Sequence, residues 1–148
     1  MVPATQPMMV VMDTNVFISA VGSRRGNAWR CFILFARRRF RLAVTDQVLR
    51  EYETIASRMA GKPGIFHGMN WRPLYDWVCN EAEYFEPAQL GKRRSRDADD
   101  DVYLACALSA SASILVSYDA DLLDLEKPFG IQILKPAAFV RLMNRVSP

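Results

Sequence analysis

Short apolar runs alternate along this chain with longer segments whose apolar residues recur every three or four positions. The runs at 8–12, 41–45, 113–117 and 131–134 have the length and composition of buried strands. The longer segments between them carry the apolar stripe of helices that pack on one side. Strands that alternate with helices pair in parallel, so the pattern predicts an α/β fold with a mostly parallel sheet.

The remaining boundaries follow from local signals. A short fifth strand is expected at 85–87, and Asn27 and Asp46 are suited to cap the helices that follow them. Helices are expected at 16–20, 27–35, 48–59, 70–84, 99–112, 121–125 and 136–145.

The first strand delivers a carboxylate directly into a turn. Asp13 follows the apolar run at 8–12, and the run at 113–117 leads in the same way to Asp119 and Asp121. Ligands of open α/β sheets bind at the carboxyl ends of the strands. We therefore expect these acids to meet at one edge of the sheet.

A cluster of acids precedes the second of these strands, and it comprises Asp97, Asp99, Asp100 and Asp101. One Asp before a helix is usually its N-cap, but four acids exceed what a cap needs. Carboxylates that converge repel each other and lose solvation, so such a cluster indicates a cation bound by oxygen ligands. The expected ion is Mg²⁺ or Mn²⁺.

Basic residues are grouped separately from the acids. The chain has a formal net charge of +3, and its basic groups are Arg24-Arg25, Arg37-Arg38-Arg39 and Lys92-Arg93-Arg94-Ser95-Arg96. A basic surface around an acidic, metal-binding pocket suits a polyanionic substrate cut by metal chemistry. The alternative interpretation of each group is a solvated helix face or loop.

Size and composition indicate one domain. The chain has 148 residues, of which 51% are hydrophobic, and we expect a disordered lead-in at 1–7 before a single domain at 8–148. Its three cysteines are far apart and predict buried thiols rather than disulfides. No apolar run reaches the roughly 18 residues of a membrane span, so a cytoplasmic protein is expected.

Two further candidates are weighed by position. Glu51 and Glu53 border opposite sides of the apolar stripe at 48–59, and periodicity alone does not choose between them. His67 is the single histidine and lies in a glycine-containing loop, where histidines are usually surface residues. A zinc- or histidine-based mechanism of hydrolysis therefore lacks the residues it would need.

Four segments together resemble the four motifs of the PIN domain family, in their order, and most closely those of the bacterial VapC-like toxins of toxin–antitoxin systems. The segments are VMDTNV at 11–16, VTDQVLREY at 44–52, DADDDVYLACA at 97–107 and LVSYDADLL at 115–123. The resemblance implies a three-layer α/β/α fold with a mostly parallel sheet of about five strands. It also implies cleavage of RNA that depends on a divalent metal at the carboxyl edge of that sheet.

The resemblance assigns roles to individual residues. It makes Asp13 and Asp119 metal-binding acids, and it prefers Glu51 over Glu53 as the acid of the second motif. The third acid stays open: Asp100 and Asp101 are placed ahead of Asp97. Supporting positions are Asn15 beside the first acid, Ser117 as a small hydroxyl, and Asp121 as a ligand or a helix cap.

The resemblance also implies partners, namely an RNA substrate, a cognate antitoxin protein and a second copy of the chain in a homodimer. We expect the basic residues nearest the motifs to contact RNA phosphates: Arg24, Arg25, Lys92, Arg93, Arg94 and Arg96. Two alternatives remain, a PIN-like RNA-binding scaffold without turnover and a nuclease of housekeeping RNA processing. An aspartyl phosphotransferase is disfavoured because position 15, where its second Asp would stand, is Asn.

Overall fold

Five short strands form one parallel sheet. The computed structural model describes residues 6–91 and 101–145, and all the strand pairings it contains are parallel. The strands are β1 (Met9–Met12), β2 (Arg41–Val44), β3 (Glu83–Tyr84), β4 (Ile114–Val116) and β5 (Gln132–Leu134).

Helices connect the strands. They are α1 (Thr14–Gly22), α2 (Asn27–Ala36), α3 (Asp46–Gly61), α4 (Arg72–Glu81), α5 (Asp101–Ser109), α6 (Ala120–Leu123) and α7 (Pro136–Arg145), with a 3-10 turn at Pro128–Gly130. None of the helices in the described ranges is both long enough and apolar enough to cross a membrane.

The centre of the sheet is covered on both faces. Every residue of β1 and β4 is buried, and neighbouring side chains on a strand point to opposite faces. A helix with little exposed surface, α5, packs on β1, β2 and β4, and its residues 103–107 are all buried. Burial of both faces confirms the predicted three-layer α/β/α fold.

The strand order places a crevice beside β1. The order is β3-β2-β1-β4-β5, so the chain builds outward from β1 on one side and then restarts at β4 on the other. Connections that leave neighbouring strands in opposite directions open a crevice at their carboxyl ends, which is where ligands bind in this class of fold. In this sheet the crevice lies between the ends of β1 and β4.

Several predicted boundaries are wrong in detail, and one of them is the helix expected at 70–84, which ends at Glu81 before β3 begins at Glu83. The third strand lies at 83–84 instead of 85–87, because Glu83 and Tyr84 pair with Ala43 and Val44 of β2, and the N–H of Phe85 donates the last ladder bond to Val44. Pro87 has no N–H to extend that ladder. The N-caps are Thr45, whose hydroxyl accepts from Val48 N at 3.1 Å, and Gly26, each one residue earlier than predicted.

All three cysteines are free thiols. Cys31 and Cys106 are buried, and burial raises the pKa of each thiol to about 12. Neither thiol is ionised near neutral pH, so neither is suited to nucleophilic chemistry.

Candidate active site at the carboxyl edge of the sheet

Asp13 is fixed at the crevice by its backbone. Its N–H donates to the carbonyl oxygen of Val116 in β4 at 2.9 Å, and its carbonyl accepts from Val16 N at 3.0 Å as α1 begins. Only 5% of the residue is exposed. The end of β1, the end of β4 and the start of α1 therefore all determine where this carboxylate lies.

A buried serine links the two strands through its hydroxyl group. Ser117 Oγ donates to Oδ2 of Asp13 at 2.5 Å and accepts from the backbone N–H of Asp119 at 2.9 Å. The residue is fully buried. Its hydroxyl thus orients the first acid and holds the segment that carries the second.

Asp119 lies at the N-terminus of the four-residue helix α6. Its Oδ1 accepts from the backbone N–H of Asp121 at 2.9 Å, which makes Asp119 the helix cap. The capping alternative for Asp121 is therefore wrong, because that residue already lies in the first turn. One carboxylate serves both as a cap and as a wall of the crevice.

The charge on Asp13 is poorly compensated. Burial raises the pKa of Asp13 to about 6. The hydrogen bond from Ser117 opposes this shift in part, and the negative charge of Asp119 reinforces it. A cation between the two carboxylates would relieve both effects, because it favours the ionised form. The electrostatics of this site therefore suit a bound cation.

Glu51 joins the two aspartates in a cavity of about 370 Å³ between α1 and α3. The cavity is lined by residues of both helices, by Phe66 and Tyr103, and by the acids Asp13, Glu51 and Asp119. Glu53 is exposed and contributes instead to the environment of Tyr75 in α4. Of the two glutamates that periodicity left open, the structure places Glu51 in the same cavity as the aspartates.

Two hydroxyl groups and one amide lie beside the acids. The Thr14 hydroxyl is hydrogen-bonded to the phenol of Tyr103. Burial and the nearby negative charge of Asp13 raise the pKa of Tyr103 far above its usual range, so the phenol stays protonated. The amide oxygen of Asn15 accepts from the backbone N–H of Tyr118 at 3.3 Å, which ties α1 to the segment after β4.

Sequence reasoning assigned no role to Thr14 or Tyr103. Both lie within the motifs, but neither is charged, and a hydroxyl pair between α1 and α5 has no periodic signature. Their only sequence signal is their position, directly after Asp13 and two residues after Asp101.

Of the candidates for the third acid, Asp101 alone lies within the described residues. Asp101 is half-buried in the first turn of α5 and is not among the described residues that line the cavity. In the ranges 6–91 and 101–145, no three Asp, Glu, His or Cys side chains are grouped closely enough to hold a metal ion. Several predicted site residues lie outside the described residues: Asp97, Asp99, Asp100, Lys92, Arg93, Arg94 and Arg96.

Arg24 and Arg25 lie in the turn after α1. The Arg24 guanidinium carbon is 5.5 Å from the centroid of the Trp29 ring, and Arg24 lines a separate apolar cavity next to α4. A nine-residue helix is about 13 Å long, so this turn and Asp13 stand at opposite ends of α1. Arg24 and Arg25 are not among the described residues that line the acidic cavity.

The donor atoms fit a hard divalent cation. Asp13 and Asp119 offer carboxylate oxygens beside Glu51, and Mg²⁺ typically uses one or two carboxylates while it keeps several waters. His67 is exposed, and its Nδ1 lies 3.0 Å from the carbonyl oxygen of Lys62. It does not line the acidic cavity.

The comparison with known proteins agrees with this geometry. A family model described as PIN domain matches residues 9–121, which include Asp13, Glu51 and Asp119. Among the curated proteins, none matches the chain. The match covers well over half of the sequence, and the chain belongs to the PIN domain family, whose members are generally metal-dependent nucleases.

Proposed function

We propose that this protein is an endoribonuclease that hydrolyses RNA phosphodiester bonds with Mg²⁺ or Mn²⁺. The observation that carries the proposal is the buried Asp13, whose pKa is raised to about 6, in one cavity with Glu51 and Asp119. A nuclease family places such acids where a cation and a phosphate must meet. A scaffold without turnover would not need to retain a buried carboxylate that is costly to ionise.

In this proposal, Asp13 and Asp119 bind the ion, and Glu51 adds a carboxylate from α3. Asp100 or Asp101 supplies the third acid. A divalent ion would polarise the scissile phosphate and stabilise the leaving oxygen. Ser117 keeps Asp13 oriented through its 2.5 Å hydrogen bond. Because its hydroxyl is fully buried and already engaged, Ser117 does not act as a nucleophile.

The protein's own hydroxyl groups define the rest of the reaction site. Tyr103 lines the cavity and stays protonated, so it can donate a hydrogen bond there without adding negative charge. Thr14 shares a hydrogen bond with it and fixes the phenol against α1. A neutral hydroxyl pair beside three acids suits an anionic substrate that must approach a negatively charged wall.

Cleavage of single-stranded RNA is expected to require Mg²⁺ or Mn²⁺ and to stop in excess chelator. Ca²⁺ should not support it, because its longer and looser coordination suits in-line displacement poorly. The measurement is the cleavage rate of a labelled strand with each ion. His67→Ala should cleave like the wild type because His67 lies outside the cavity. Full activity in chelator would contradict the metal mechanism.

Within this function we propose the role of a toxin that an antitoxin protein silences, in a homodimer. The support is the resemblance of the four motifs to those of VapC-like toxins. Induced expression of the wild type should arrest bacterial growth, whereas Asp119→Asn should not, and the measurement is a growth curve after induction. Growth that continues while the purified enzyme cleaves RNA would instead favour housekeeping RNA processing.

A further inference from the structure

The lining of the acidic cavity changes from charged to apolar along its length. On α3, Glu51, Ile55 and Met59 follow each other at intervals of four residues, so they lie on one helix face. The acid is at the end next to the sheet, and the two apolar side chains continue away from it. The three line the same cavity and are half-buried.

The opposite wall repeats this gradient. On α1, Asn15 lies near the sheet, and Ile18 and Ser19 follow one turn later along the same cavity. One turn further, Gly22 meets the ring of Phe66, which reaches in from the segment between α3 and α4. The cavity therefore has carboxylates at one end and an apolar, aromatic end away from the sheet.

Phe66 is held by a close contact with Gly22. A Cβ atom on Gly22 would lie 2.5 Å from Cε1 of Phe66, so the ring edge occupies the space that any other residue would need. Among the residues that the structure describes, no aromatic ring pairs with Phe66. The ring is half-buried and lines the cavity, so part of it is available to a ligand.

We propose that the apolar end of this cavity binds an unpaired nucleobase, while the neighbouring phosphate lies at the acidic end. The apolar end is made of Ile18, Ile55, Met59 and Phe66. The inference rests on the proposed nuclease function, since a polynucleotide supplies both an anion for the acidic end and a flat apolar ring for the other. Single-stranded RNA is recognised by bases that are unstacked and packed on aromatic side chains. A base can enter this subsite only when it is not paired in a duplex.

The test compares binding of a single-stranded oligoadenylate with binding of an abasic strand of equal length and charge, in Ca²⁺. The wild type should prefer the strand that carries bases. Phe66→Ala should reduce that preference by roughly 5- to 150-fold, the range for loss of one base–aromatic stack. Ile65→Ala is the matched control, because Ile65 is the neighbouring residue, is 93% exposed and does not line the cavity.

Two further variants separate an effect on base stacking from an effect on folding. Phe66→Leu keeps an apolar side chain but lacks a ring, so it should lose most of the base preference with a thermal melting curve like that of the wild type. Gly22→Ala should displace the ring and weaken the preference while Phe66 is still present. A duplex containing the same strand should bind more weakly than the single strand.

The possible outcomes test the base-binding subsite and the nuclease function separately. Equal base preference in the wild type and Phe66→Ala, or no preference in the wild type, would overturn the subsite even if RNA is cleaved. Loss of the preference in Phe66→Ala but not in Ile65→Ala supports the subsite. If the wild type cleaves nothing with any divalent ion, the nuclease function fails, and the binding comparison still decides the subsite.

Discussion

Asp13→Asn is expected to abolish cleavage and, at the same time, to stabilise the metal-free protein at neutral pH. Loss of activity should be at least about 100-fold, because even the outer partners of a metal ligand are typically worth 10- to 100-fold. The gain in stability follows from removing a carboxylate that is only 5% exposed. Asparagine keeps an oxygen that can accept the hydrogen bond from Ser117.

The direction of the pH dependence follows from the pKa. Burial raises the pKa of Asp13 from 3.8 to about 6, so the native protein binds this proton more tightly than the unfolded chain does. The contribution of Asp13 to stability is therefore fully present below pH 4 and is lost as the pH rises to about 6. A shift of about two units corresponds to at most about 3 kcal/mol.

Urea unfolding in chelator at pH 4.5 and pH 7.5 measures this effect. The stability of Asp13→Asn relative to the wild type should increase between the two pH values. Asp76→Asn is the matched control, because it makes the same replacement at an exposed acid on α4. A variant that is less stable than the wild type at pH 7.5 would show that ionised Asp13 does not destabilise the fold.

The fold could be predicted because its signals are local and repeated. Apolar runs such as 9–12 and 114–116 are too short for buried helices, and the helical segments between them force parallel crossovers. Once the strands are parallel, Asp13 and Asp119 must meet at one edge. The family match then confirms the PIN domain that the four motifs suggest.

Other features depend on contacts that no periodicity encodes. The resemblance marked Ser117 as a small hydroxyl at a motif position, but its hydrogen bond to Asp13 exists only because β1 and β4 are adjacent. The choice between Glu51 and Glu53 depends on which side of α3 faces α1. The register of the third strand comes from its backbone pairing with β2, which sets Glu83 opposite Ala43, and no apolar periodicity marks so short a strand.

Tyr52→Phe is expected to destabilise the protein and to reduce cleavage by the molecules that stay folded. Tyr52 is fully buried, and its hydroxyl donates to the carbonyl oxygen of Met12 at the end of β1. Its ring is stacked on Phe17 of α1, with centroids 4.8 Å apart. The residue therefore connects α3, α1 and β1 directly behind the acidic cavity.

Removing the hydroxyl leaves the Met12 carbonyl without this donor in a buried setting, which costs about 1–3 kcal/mol. Tyr52→Ala also empties the space beside Phe17, and the cost rises to about 3–5 kcal/mol. Tyr84→Phe is the matched control, because its phenol also donates to a backbone carbonyl, that of Cys79 at 2.7 Å, but the residue is 49% exposed. That control should change the free energy of unfolding by less than about 0.5 kcal/mol.

Tyr52 is also placed to influence the spacing of two acids. It follows Glu51 directly in α3, and its hydrogen bond ends on Met12, the residue before Asp13. Without that bond, α3 is free to shift against β1, and the distance between the carboxylates of Glu51 and Asp13 is less well defined. Cleavage assays well below the melting temperature should then show a lower kcat for Tyr52→Phe with nearly unchanged KM, since the apolar walls of the proposed subsite remain. An unchanged kcat together with reduced stability would mean that Tyr52 supports the fold alone and that other contacts set the spacing of the acids.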